Sequence, residues 1–191
     1  MILDCDRCAR EIEEARRRAE ALVSGLTPEK LTTQPCPGKW SIAECILHLN
    51  ATAAIVQSLM EKAIAQGKRE NIIGTRPFSI GPKGRLMVWI AEPPPKFRIR
   101  APKNVRPTAT IDDPVQLLPA FMKAQDEWAR LMREQEGLDL AKIKAGQGAF
   151  RMRLAAAVPW MLAHQRRHLW QAENVKRQIL SAAPTAAARA S

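Results

Sequence analysis

The 191-residue chain contains no tyrosine, and aromatic residues make up 5% of it. That scarcity tells against a nucleic-acid-binding surface built on stacking side chains. No helix-turn-helix, zinc-finger or RNA-binding signature is present either. No apolar run approaches the roughly 18 residues needed to span a bilayer. Asp4 and Asp6 interrupt the opening stretch too early for a signal peptide. A cytoplasmic address without membrane association is the expectation. Cysteines number four, and a chain of this length needs no disulfide staple, so reduced thiols are expected. Histidine is scarcer still: His48, His164 and His168 are the full set.

Acidic residues are also few, 19 against 30 Lys and Arg, for a net charge of +11. The excess is uneven. Residues 67–111 hold ten basic side chains and only Glu70 and Glu92 opposing them, so that segment contributes 10 − 2 = +8. Such a patch attracts anions without saying which.

Apolar periodicity outlines four long helices. Positions 5, 8, 12, 15, 19, 22 and 26 carry Cys, Cys, Ile, Ala, Ala, Leu and Leu, the stripe of a helix over about Leu3 to Ser24. Both members of Cys5-Asp6-Arg7-Cys8 fall on that stripe. They therefore read as core residues rather than a redox or zinc knuckle. Thr27-Pro28-Glu29 starts a short turn. Ser41 with Glu44 three residues on forms a capping box for a second helix, running to about Gln66. Its inner face carries Ile42, Cys45, Leu49, Val56, Leu59 and Ala63. Gly67 to Ile111 then connects helices two and three with seven of the fourteen prolines. Connections this long are usually functional or disordered, and in a bundle one can cross from end to end. Met87-Val88-Trp89-Ile90 would pack as a short anchor within it.

Asp113 and Pro114 provide a cap and first-turn proline for a third helix reaching about Glu136. Its apolar face is Leu117, Leu118, Phe121, Ala124, Trp128 and Leu131. The last helix begins between Arg151 and Leu154 and ends near Leu180, and Pro159 should kink it or sit in an irregular first turn. The expected fold is an all-α four-helix bundle with a long crossover between helices two and three. One domain covers residues 1–181, and 182–191 form a frayed Ala-rich tail.

His164 and His168 lie four apart on the last helix, so their rings stack on one face within reach of a single ion. Met161, Gln165, His168, Ala172, Val175 and Ile179 share the inward rhythm. Buried neutral histidines satisfied by hydrogen bonds would fit this pattern, and so would metal ligands. His48, one turn after Glu44 on the second helix, could bring a third nitrogen. Three histidines leave room on a metal for water or substrate.

Gly38-Lys39-Trp40-Ser41, Glu44 and His48-Leu49, followed by His164-Gln165-Arg166-Arg167-His168, resemble the two signatures of the DinB-like (DinB/YfiT-like) superfamily of metalloenzymes. The similarity spans roughly residues 5–180. It implies a four-helix bundle in which His48, His164 and His168 bind a divalent metal, zinc or nickel. Trp40 and Ser41 match the family's helix-start pair and read as structural. Where many members place Asp or Glu after the first closing histidine, this chain has Gln165. Gln165 and Glu44 are candidate outer partners of the ligands, although capping already accounts for Glu44.

The activity that the resemblance implies is thiol transfer using bacillithiol, mycothiol or glutathione, or hydrolysis, on a small molecule, and a homodimer is expected. Arg98 and Arg100 in the basic connection could hold the carboxylates of such a thiol. The alternatives are a non-catalytic metal-binding or stress-response bundle and, less favoured, nucleic-acid binding through residues 67–111.

Overall fold

The computed structural model describes residues 1–97, 100–107 and 111–181. The expected tail and Arg98 lie outside that set. The chain forms α1 (Cys5–Val23), α2 (Pro28–Thr32), α3 (Ile42–Arg69), α4 (Gly81–Ala91), α5 (Leu117–Glu134) and α6 (Leu154–Ser181). A two-residue hairpin pairs β1 (Lys144–Ala145) with β2 (Met152–Arg153). The four long helices make the bundle: α3 packs on α5 and α6, and α1 packs on the same two from the other side. α3 is, by length and composition, apolar enough to cross a membrane. Much of its surface is instead spent on the bundle core, from Ile42 to Gly67.

Local sequence explains the helix starts. Asp4 Oδ1 accepts from Arg7 N (2.9 Å) at the head of α1. At α3 the capping box is complete: Ser41 Oγ accepts from Glu44 N (3.1 Å) and Glu44 Oε2 from Ser41 N (2.7 Å). Asp113 and Pro114 open a 3-10 turn, Pro114–Gln116, and α5 follows at Leu117. α6 runs as one helix from Leu154 to Ser181 with Pro159 inside it. Pro159 is the sixth residue, and what it removes is one bond to a first-turn carbonyl.

The expected inner faces are largely buried. Cys8, Ile12, Ala15, Ala19 and Leu22 line the core side of α1, with Cys5 packed against them. All four cysteines are free. Burial pushes the Cys8 thiol up to about 12, which suits a packing residue rather than a reactive one. Two apolar positions depart from expectation: Val56 and Leu59 of α3 are only half-buried and face a cavity.

The expected anchor Met87–Ile90 lies within α4, which begins earlier, at Gly81. Pro82 sits in its first turn, where its missing N–H costs nothing. Gly84 lets α4 press on α6: a Cβ there would meet Ala156 Cβ at 2.6 Å. Gly84→Val should therefore cost about 1–3 kcal/mol through overpacking, read as a lower urea midpoint. An unchanged midpoint would show that α4 is not seated this closely. Arg166 of α6 ties the layers together by pairing with Glu11 of α1 and Glu92 just after α4.

Candidate metal centre

His48 stands on α3 one turn after the capping Glu44, and His164 and His168 stand on α6 opposite it. Their ligand nitrogens all lie within 4.8 Å of one another. His48 Nδ1 is 2.7 Å from the Val105 carbonyl in the crossover. A carbonyl can only accept, so Nδ1 carries the proton and Nε2 keeps its lone pair. That Nε2 lies 3.2 Å from His164 Nε2. His168 Nδ1 donates to Gln171 Oε1 (3.1 Å), which leaves its Nε2 free as well.

The donor set fits a divalent ion. Two nitrogens about 2.0–2.1 Å from one tetrahedral metal are themselves about 3.3 Å apart, close to the separation seen here. Two of the three rings have their far nitrogen held by an outer acceptor, the usual arrangement for a ligating imidazole. The third does not: His164 Nδ1 is buried without a partner among the described residues. Two indoles flank the cluster. Trp40 stacks on His168 with ring centroids 5.6 Å apart and tilts against His48 at 5.0 Å. Trp160 stacks on His164 at 5.5 Å.

The histidines open into a cavity of about 1600 Å³. Lys39, Arg100, Arg106 and Arg167 line it, and among the described lining residues there is no Asp or Glu. Arg167 also holds the crossover in place, donating to the Ile90 and Phe97 carbonyls at 2.9 and 3.0 Å. Other parts of the basic segment are used within the fold. Lys83 reaches the Arg151 carbonyl and Lys96 the Trp89 carbonyl.

The outer residues named from sequence are placed differently. Glu44 is engaged by the cap and by Gln34 Nε2 (3.1 Å). Gln165 points away from the histidines: its amide donates to Gln125 Oε1 of α5 at 3.1 Å. The outer partners are Val105 and Gln171 instead. Gln171, three residues after His168, and Trp160, four before His164, share a helix face with their histidines and could have been found by spacing. Val105 carried no such signal, because it acts through a backbone carbonyl 57 residues from His48.

Burial holds all three imidazoles below their usual range. His168 falls to about 3, lowered by desolvation first and then by the nearby His48 and Arg167. His164 is pushed well down by desolvation, with His168, His48 and Arg167 adding to it. His48 is also lowered, against the opposing Val105 bond. Folded-state values below about 6.5 mean that the unfolded chain binds more protons, so stability is present above that pH and lost as pH falls toward 3. In chelator-treated protein, each depressed histidine should cost up to about 1.4 kcal/mol per pH unit on acidification. Urea midpoints at pH 7.5 and 5.5 check this, and equal midpoints would contradict it.

A family model described as the DinB superfamily matches residues 11–172. The chain belongs to that superfamily. The match contains all three histidines and the capping box of this DinB-superfamily chain. Among solved structures, YfiT from Bacillus subtilis is similar with a TM-score of 0.61 at 16% identity, over 91% of this chain and 86% of that one. It is described as a probable metal-dependent hydrolase with an unusual four-helix bundle topology. The likeness shows that this DinB-superfamily chain shares that fold. No curated protein matches its sequence.

Proposed function

We propose that the protein is a metal-dependent enzyme acting on a small molecule, that His48, His164 and His168 hold its ion, zinc or nickel, and that a thiol rather than water is its nucleophile. The observation that carries the metal is the convergence of three neutral imidazole nitrogens within 4.8 Å at the wall of a cavity. The description of YfiT as metal-dependent agrees with it. When bound, a divalent ion supplies Lewis-acid charge that makes a thiol or water easier to deprotonate near neutral pH.

The chain's own residues supply the rest. Val105 and Gln171 orient His48 and His168 by accepting their Nδ1 protons. Burial keeps the rings neutral, so no proton must leave them before they ligate. Trp40 and Trp160 restrict water around the rings. The choice of thiol rests on what lines the cavity. Hydrolysis gains from a carboxylate to take or give a proton, and none is found among the described lining residues. A thiol, with a pKa near 8.5, needs far less help than water, and four cations favour its anionic form. In the proposed transfer a sulfur–carbon bond forms as the bond from that carbon to its leaving group breaks. The leaving group takes the electron pair, and the thiol proton goes to solvent.

Elemental analysis of untagged protein grown with metal should find about one equivalent of zinc or nickel per chain. Metal-free protein from replete medium would overturn the proposal. After cobalt substitution, adding glutathione, bacillithiol or mycothiol should produce a sulfur-to-cobalt charge-transfer band. If none of these thiols produces it, the thiol reading fails and water becomes the nucleophile.

A further inference from the structure

The cavity follows α3 and α6, and its lining changes character at the histidines. The two helices run antiparallel. A Cβ on Gly67, near the end of α3, would abut Ile143, whose carbonyl accepts from Leu154 N at the start of α6 (2.9 Å). Residues after His48 on α3 and before His164 on α6 therefore lie on the same side of the cluster. On that side the walls are Ile55, Val56 and Leu59 of α3, Ala157 of α6, and Met87 and Ile90 of α4. On the other side the lining is more polar but mixed: Lys39 before α3, and Gln171, Asn174 and Gln178 beside Trp170 and Val175 along α6. From His48 to Leu59 the apolar wall covers about 16 Å of helix. The whole volume, about 1600 Å³, exceeds the roughly 300–1,000 Å³ of a site for one small ligand.

We infer that the cavity takes two substrates at once, and that the apolar arm binds the hydrophobic acceptor, an aryl or alkyl compound whose leaving group is displaced near the histidines. This rests on the proposed thiol transfer and adds the class of its second substrate. The polar arm is left for the hydrophilic thiol. Leu59, half-buried on an otherwise core-facing stripe, is apolar because it meets this acceptor rather than another helix.

The test uses the naphthalene ketone prodan, whose emission shifts to the blue in apolar surroundings. Wild-type protein should bind it saturably at one site per chain. Leu59→Trp, which fills the arm, and Ile55→Asp, at a position 39% exposed where folding is spared, should each weaken binding at least tenfold. Gln178→Leu in the polar arm should leave it unchanged. His168→Ala should lose metal yet keep the probe, so failure of the metal site and failure of this inference read out separately. No saturable blue-shifted binding, or wild-type affinity in both Ile55→Asp and Leu59→Trp, overturns the acceptor site.

Discussion

Replacing His168 by alanine should leave a folded protein that no longer retains its ion. His168 lies at the centre of the cluster, its ring centroid 4.5 Å from those of both His48 and His164. Removing an outer partner of a metal ligand typically lowers affinity 10–100-fold. Losing the ligand itself should cost more, on the order of a hundredfold or above. Gln171→Met is the graded counterpart, because it deletes the acceptor at His168 Nδ1 while sparing the ring. A loss of about tenfold is expected there. Gln165→Leu should have little effect, since that amide serves α5 and not the histidines. Chelator competition gives the affinities, and elemental analysis the stoichiometry. A His168→Ala protein that holds a full equivalent with wild-type affinity would remove His168 from the ligand set.

Trp128→Ala should be among the most destabilising single changes in the bundle, at about 3–5 kcal/mol. Trp128 of α5 is 1% exposed, in the same core as Met60, Leu131 and Met161. A whole domain typically has 5–15 kcal/mol to lose, so the variant should unfold at much lower urea. Trp128→Phe should be far milder. The indole Nε1 is buried with no partner, so deleting it relieves a desolvation cost of about 1–3 kcal/mol and offsets part of the lost packing. Because Trp128 lies apart from the histidines, folded Trp128→Phe protein should bind metal as wild type does. Equal midpoints for wild type and Trp128→Ala would mean that the site collapses without loss, against the packing described here.

Much of this was legible in the residues. The Ser41 and Glu44 pair marks the start of α3, because a capping box is a contact within four residues and needs no partner elsewhere. The stripe from Cys8 to Leu22 is buried as its rhythm requires. Other features escaped. Periodicity reports that a helix face is apolar but not what the face meets, so Val56 and Leu59 read as core although they border a cavity. The same limit applies to Gln165, whose inward position was clear and whose partner on α5 was not. α4 was legible only as the short anchor Met87–Ile90, because Gly81 and Pro82 are turn residues in isolation, whereas here Pro82 sits in the first turn of a helix that Gly84 allows to dock on α6.

The sequence by itself determined the bundle, the scarcity of acid and aromatic groups, and the three histidines with their order and spacing. These depend on local propensity, apolar rhythm and motif, which act within a few residues. Tertiary structure alone decided that the histidine nitrogens converge, that Val105 and Gln171 orient two of them, that Trp40 and Trp160 flank them, and that a cavity with one apolar side and no Asp or Glu among its described lining residues opens beside them. Those features arise where α3, α6 and the crossover meet, and the packing that joins them leaves no short-range mark in the chain.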